Sequence, residues 1–271
     1  MELFRKYKLL LPLVVCSLIT LAMGIFLLTS GGDDRPDTET DADTDTESHE
    51  TEKPVMENPI FKADLSAYES YMDAPSGSFL LLVNKQNLLD ADYVPADRVS
   101  VKDTHKDITL NRTAEMALES MFIEMRAAGY ANVFVTSAYR SYSYQSSLFN
   151  TYINNEMAAD PSLTEAEARE KVLRYSAFPG TSEHQTGLCV DLMVNSMTEL
   201  DESFADYPVY EWLQENAWKF GFILRFPENK VAITGYDFEP WHYRFVGRYD
   251  AYMIHSQGLC LEEYVAQIED R

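Results

Sequence analysis

From about residue 60 onward the apolar positions come in blocks whose period changes from segment to segment. Ala114, Ala117, Leu118, Met121, Phe122 and Met125 recur at steps of three and four, the spacing that lines one face of a helix. Asn111 stands before them as an N-cap and Gly129 after them as a stop. Residues 132–139 (NVFVTSAY) read as a strand and 143–157 (SYQSSLFNTYINNEM) as a helix. Ser162 with Glu165 makes a capping box for a further helix reaching Tyr175, and 209–220 (VYEWLQENAWKF) is helical up to Gly221. The apolar runs at 79–84 (FLLLVN), 221–226 (GFILRF), 230–236 (KVAITGY) and 241–247 (WHYRFVG) predict short strands with hairpin-type links. Helices and strands mix without a regular βαβ alternation. That predicts an α+β fold, a largely antiparallel sheet flanked by helices.

The N-terminal part follows different rules. Residues 9–28 (LLLPLVVCSLITLAMGIFLL) carry no charge and are long enough to cross the hydrocarbon layer as a helix. Arg5, Lys6 and Lys8 precede them and an acidic stretch follows, so the positive-inside rule places the rest of the chain outside the cytoplasm. A cleaved signal peptide is the alternative, although its apolar region is usually shorter, roughly 7–15 residues. Residues 31–59 are rich in Asp, Glu and Thr and have almost nothing to bury, which predicts an extended acidic tether. The expected organisation is a cytoplasmic stub and transmembrane anchor over 1–30, the tether over 31–59, and a globular domain over 60–271.

Composition narrows the function. A hydrophobic content of 46% and an aromatic content of 13% suffice for a core. The formal net charge of −22 lacks the clustered Lys and Arg that displace counterions from nucleic acid, so a nucleic-acid partner is excluded. Cys16, Cys189 and Cys260 form no Cys-x-x-Cys pair, which excludes a thiolate zinc knuckle. A Cys189–Cys260 disulfide and two small buried thiols both remain open.

Of the five histidines, His49 lies in the tether, His105 sits among charges, and His255 falls in a helix-like C-terminal stretch. His184 and His242 differ in context. In 179–192 (PGTSEHQTGLCVDL), Leu188 and Val190 share one face of a strand while Cys189 and Asp191 share the other. A lone carboxylate on such a surface is costly unless paired or bound to metal. A turn at Gly187 lets His184 fold back towards that same face. In 237–244 (DFEPWHYR), Glu239 and His242 are three residues apart, and Pro240 favours a turn over a helix interior. Two imidazoles and a carboxylate make a three-ligand site that leaves a zinc position open for water, with Glu239 placed to take the water's proton. A buried His–Asp hydrogen bond with an unrelated strand histidine is the alternative. Arg140, at a strand end, suits capture of a carboxylate or of an oxyanion, or else a surface salt bridge.

The segments SAYRSYSYQ (137–145), GTSEHQTGLCVDL (180–192) and EPWHYRFVG (239–247), in this order, resemble the VanY-type D-alanyl-D-alanine carboxypeptidases. These belong to a group that also contains lysostaphin-like enzymes and hedgehog signalling domains. The likeness covers roughly 75–250, including NLLDADYVPADRV (87–99). It implies one zinc ion on His184, Asp191 and His242, and Glu239 as general base and acid. It also implies Arg140 as the arginine that holds substrate or steadies the oxyanion, with Gln145 and Ser182 lining the substrate site. Cys189 departs from the small aliphatic residue often found at its position. The implied substrate is the stem peptide of bacterial peptidoglycan, trimmed of its C-terminal D-alanine, in keeping with an extracytoplasmic, membrane-anchored domain. Four other readings are an L,D-carboxypeptidase, an endopeptidase of the same group, a binding module that keeps metal without catalysis, and a non-haem iron oxygenase. The presence of Glu239 argues against the binding module, and the absence of His-x-Asp spacing against the oxygenase.

Overall fold

The computed structural model describes residues 55–75 and 77–269. A short helix α1 (Glu69–Met72) is followed by a two-stranded antiparallel ribbon, β1 (Arg98–Ser100) with β2 (Thr109–Asn111). Helix α2 (Arg112–Ala127) begins directly after β2, and the Asn111 side chain accepts hydrogen bonds from the Thr113 and Ala114 amides as expected of its cap. Strand β3 (Val133–Ser137) and helices α3 (Tyr142–Ala159) and α4 (Glu165–Tyr175) come next, then β4 (Cys189–Val194), α5 (Pro208–Asn216) and β5 (Phe222–Leu224). The chain continues through α6 (Val231–Thr234), β6 (His242–Phe245), α7 (Arg248–Gln257) and α8 (Leu261–Glu269). The main sheet has the order β3-β4-β6-β5 with every neighbouring pair antiparallel. The mixed fold with an antiparallel sheet is therefore as the sequence predicts.

Strand parity decides what each face of this sheet carries. Val133 and Val135 of β3, Val190 and Leu192 of β4, Tyr243 and Phe245 of β6 and Phe222 of β5 enter one core with Leu118, Met121 and Phe122 of α2 and Leu213 of α5. The alternate residues must point the other way. On β4 and β6 those are Cys189, Asp191, Met193, His242 and Arg244, all buried. Register then makes direct neighbours of four of them, Asp191 opposite His242 and Cys189 opposite Arg244. All six residues of β4 are buried because both of its faces are covered.

Four sequence expectations need correction or fall elsewhere. Residues 79–84 form no strand: a 3-10 turn covers Gly77–Leu80, and the Phe79 and Leu81 carbonyls accept from Arg244 Nη2 (2.8 Å each) instead of from a sheet neighbour. Residues 230–236 are not a strand but end in α6, whose Gly235 cap has a left-handed φ of 74°. The apolar alternation there reflects exposed Val231 and Ile233, not a buried strand face. The capping box of α4 is Thr164 with Glu167, two residues beyond the expected pair, because Thr164 holds the extended conformation that a cap requires. The anchor expected over 9–28 and the tether up to residue 54 lie outside the described residues. Among the described residues no helix is long and apolar enough to cross a membrane.

Candidate metal centre and substrate cleft

A 3-10 turn, Glu183–Thr186, carries His184 and ends at Gly187, whose φ of 66° is left-handed. That conformation reverses the chain before β4, and a Cβ on Gly187 would lie 3.2 Å from Pro95 Cγ. The reversal brings the His184 ring to the Asp191 face. A register shift in β3 between Val135 and Ser137 aims the strand end at the same place. There the Ala138 carbonyl lies 2.5 Å from His184 Nδ1, and Arg140 N donates to the His184 carbonyl (3.1 Å). On the other side, His242 N donates to the Glu239 carbonyl (3.1 Å), closing the turn that Pro240 favours.

The side chains converge. Asp191 Oδ2 is 3.1 Å from His184 Nε2 and Asp191 Oδ1 is 2.9 Å from His242 Nδ1. The two rings meet edge to face with centroids 5.0 Å apart, and Glu239 Oε2 lies 3.7 Å from His242 Nδ1. His184, Asp191 and His242 are all buried. Cys189 joins them: ligand atoms of His184, Cys189 and His242 lie within 4.8 Å of one another. Cys189 and Cys260 are both free thiols, so the disulfide alternative fails.

A cleft of about 360 Å³ opens onto this cluster, lined among others by Arg140, Ser182, Asp191, Tyr236, Glu239 and Trp241. Asp191 lines it, whereas Cys189 is completely buried and is not on its wall. Gln145 is also behind the wall, donating to the Ala177 carbonyl (2.7 Å) and Ser176 Oγ (3.3 Å), two residues that do line the cleft. The remaining histidines stand apart: exposed His105 packs on Phe134, and exposed His255 stacks on Trp218.

Charge at this site is tightly balanced. Burial and Arg140 both oppose protonation of His184, but Asp191, helped by Cys189, outweighs them and raises it to about 9. Burial likewise opposes charge on His242, and Cys189, Asp191 and Glu183 still push it well above its ordinary value. Burial would raise Asp191, yet the two imidazoles hold it well below the usual carboxylate range. Glu239 is pushed up to about 7, first by burial and then by Asp191, against the pull of His242. A carboxyl poised there can accept and return a proton near neutral pH.

The donor set fits a divalent cation. A carbonyl can only accept, so His184 Nδ1 donates to Ala138 and, in the neutral ring, Nε2 carries the lone pair. That lone pair faces an Asp191 oxygen 3.1 Å away, the position that the proton of the charged ring occupies and that a metal ion would take in its place. Two acceptors hold that contact only with a cation between them, a proton or a metal.

Sequence reasoning missed Glu183. Its carboxylate is buried and bonded to Arg225 and Arg244, and those guanidiniums, outweighing burial, hold it far below the usual range. The available signal was an arginine inside each of two apolar strand segments, 221–226 and 241–247.

An antiparallel sheet presenting two histidines and a carboxylate at a cleft, with a second carboxylate alongside, defines a metallopeptidase type of site. The family model for VanY, D-alanyl-D-alanine carboxypeptidase, matches residues 107–248, and the chain belongs to that family. The putative carboxypeptidase YodJ of Bacillus subtilis (strain 168) is 35% identical over 269 residues, covering 93% of this chain and 94% of that one. The solved structure of the LdcB LD-carboxypeptidase, described as revealing peptidoglycan recognition, is 38% identical with a TM-score of 0.58, over 68% of this chain and 84% of that one. A mutant of the vancomycin resistance D,D-pentapeptidase VanY, solved in complex with Zn(II), is 37% identical with a TM-score of 0.57, over 69% and 98% respectively.

Proposed function

We propose that the chain is a zinc-dependent carboxypeptidase that removes the C-terminal D-alanine from peptidoglycan stem peptides, with zinc held by His184, Asp191 and His242. The observation that carries this is Asp191, whose two oxygens touch both imidazoles at the base of a cleft shared with Arg140 and Glu239. Family membership and the zinc complex of a VanY relative support it. Asp191 is preferred over Cys189 as the third ligand because it reaches the cleft, where water and substrate must meet the metal.

When bound, zinc supplies a Lewis acid and lowers the pKa of its water to about 7. Glu239, beside His242 and held near neutrality, takes the proton from the attacking water and returns it to the departing D-alanine amine. Arg140 lines the same cleft, where its guanidinium receives the substrate's terminal carboxylate. Ser182 offers a hydroxyl at the same wall, and Gln145 acts through the Ser176–Ala177 segment that it fixes. Residues 9–28, as a membrane anchor, keep this domain beside the wall, outside the cytoplasm.

A second reading, L,D-carboxypeptidase, is favoured by the likeness to LdcB. Incubation with defined tripeptide, tetrapeptide and pentapeptide stems, followed by product masses, separates the two. Loss of one alanine from the pentapeptide alone marks D,D cleavage; loss from the tetrapeptide marks L,D cleavage. Glu239→Gln is expected to lower turnover by about 10²–10⁴-fold while zinc content stays unchanged. Release of alanine from no stem would overturn the proposal.

A further inference from the structure

Each imidazole of the site has one nitrogen turned towards Asp191 and one turned away. Behind His184 the Ala138 carbonyl accepts from Nδ1. Behind His242 stands a carboxylate: Glu183 Oε2 is 3.6 Å from His242 Nε2, just beyond hydrogen-bond reach, and both atoms are buried without a hydrogen-bond partner. The other oxygen, Glu183 Oε1, accepts from Arg225 Nε (2.7 Å) and Arg244 Nη1 (2.8 Å).

Those arginines are themselves fixed. Arg225 makes a two-pronged contact with Glu262 of α8 (2.8 and 2.6 Å), and Arg244 Nη2 reaches the Phe79 and Leu81 carbonyls. Both are 0% exposed. Two guanidiniums and two carboxylates thus balance, which is what allows a carboxylate to stay ionised there. The balance uses only one oxygen of Glu183. Charge pairing accounts for Oε1, whereas Oε2 has no hydrogen-bond partner among the described residues and lies 3.6 Å from His242 Nε2.

We infer that Glu183 is a positioning residue of the metal site: anchored by Arg225 and Arg244, it accepts from His242 Nε2 and so turns Nδ1 towards the metal position. The inference rests on the zinc reading above. Carboxylates that brace a metal-bound histidine in this way typically contribute about 10–100-fold in metal affinity.

Two measurements on the full chain test it. Zinc competition against a chromophoric chelator is expected to show Glu183→Gln binding about 10–100-fold more weakly than the wild type. Glu262→Gln, which disturbs the same charge cluster on its far side, is expected to lower the melting temperature with unchanged zinc affinity. Equal affinity in Glu183→Gln, or an equal loss in Glu262→Gln, would reduce Glu183 to a structural clamp and overturn the inference. Should Glu183→Gln not fold, ¹⁵N imidazole shifts of zinc-loaded wild-type protein still decide. Metal on His242 Nδ1 with a proton on Nε2 supports the inference, and metal on Nε2 overturns it. Wild-type protein that binds no zinc would instead remove the reading beneath it.

Discussion

A residue's neighbours, more than its type, decide its chemistry here. Asp191, Glu183, Glu239 and Glu115 are four largely buried carboxyls with four different fates. Imidazoles hold Asp191 low, guanidiniums hold Glu183 low, and burial lifts Glu239 to about 7. Glu115, on α2, is remote from the cleft and is also lifted to about 7, mainly by burial and further by Glu119, against a hydrogen bond from the Lys102 amide. A carboxyl raised from its unfolded value of 4.5 favours the folded state only while protonated. Its contribution is therefore complete below pH 4.5 and is lost as pH rises through about 7. Glu115→Gln keeps an oxygen for the Lys102 amide and removes the ionisation. Denaturant unfolding at pH 8 is expected to find it more stable than the wild type by roughly 1–3 kcal/mol, with the gain gone at pH 4. A gain that persists unchanged at pH 4 would contradict this.

Among the elements, the sequence is legible where periodicity and local chemistry agree. The Asn111 cap, the α2 face, the Gly187 turn and the alternation of β4 all appear as read, and with them His184, Asp191, Glu239 and His242 come together. Residues 79–84 and 230–236 read as strands because apolar residues sit where a strand would have them. Neither segment finds a strand neighbour, and one gives its carbonyls to Arg244 instead. The brace behind His242 was illegible for a related reason. Glu183, Arg225, Arg244 and Glu262 are far apart along the chain, and nothing local marks a loop glutamate as buried. Cys189 was legible as to face but not as to closeness to both imidazoles. The anchor is an element-scale proposal read from composition alone. Membranes of expressing cells should release the full chain with detergent and not with high salt; release by salt would contradict a spanning helix.

At the scale of the whole molecule, the sheet separates two tasks. One face packs on α2 and α5 and supplies the core. The other gathers groups that burial alone would disfavour, namely an acid, two imidazoles and an arginine, and makes each tolerable through a partner. On the proposed reading, one dication would meet the needs of Asp191, His184 and His242 together. The same face also offers a rival ligand set, because ligand atoms of His184, Cys189 and His242 lie within 4.8 Å of one another. Zinc-edge X-ray absorption on the zinc-loaded full chain tests the central claim most directly. The expected result is one zinc with only nitrogen and oxygen neighbours at about 2.0–2.2 Å, including two imidazoles. A sulfur neighbour at about 2.3 Å, or protein that retains no zinc, would contradict it.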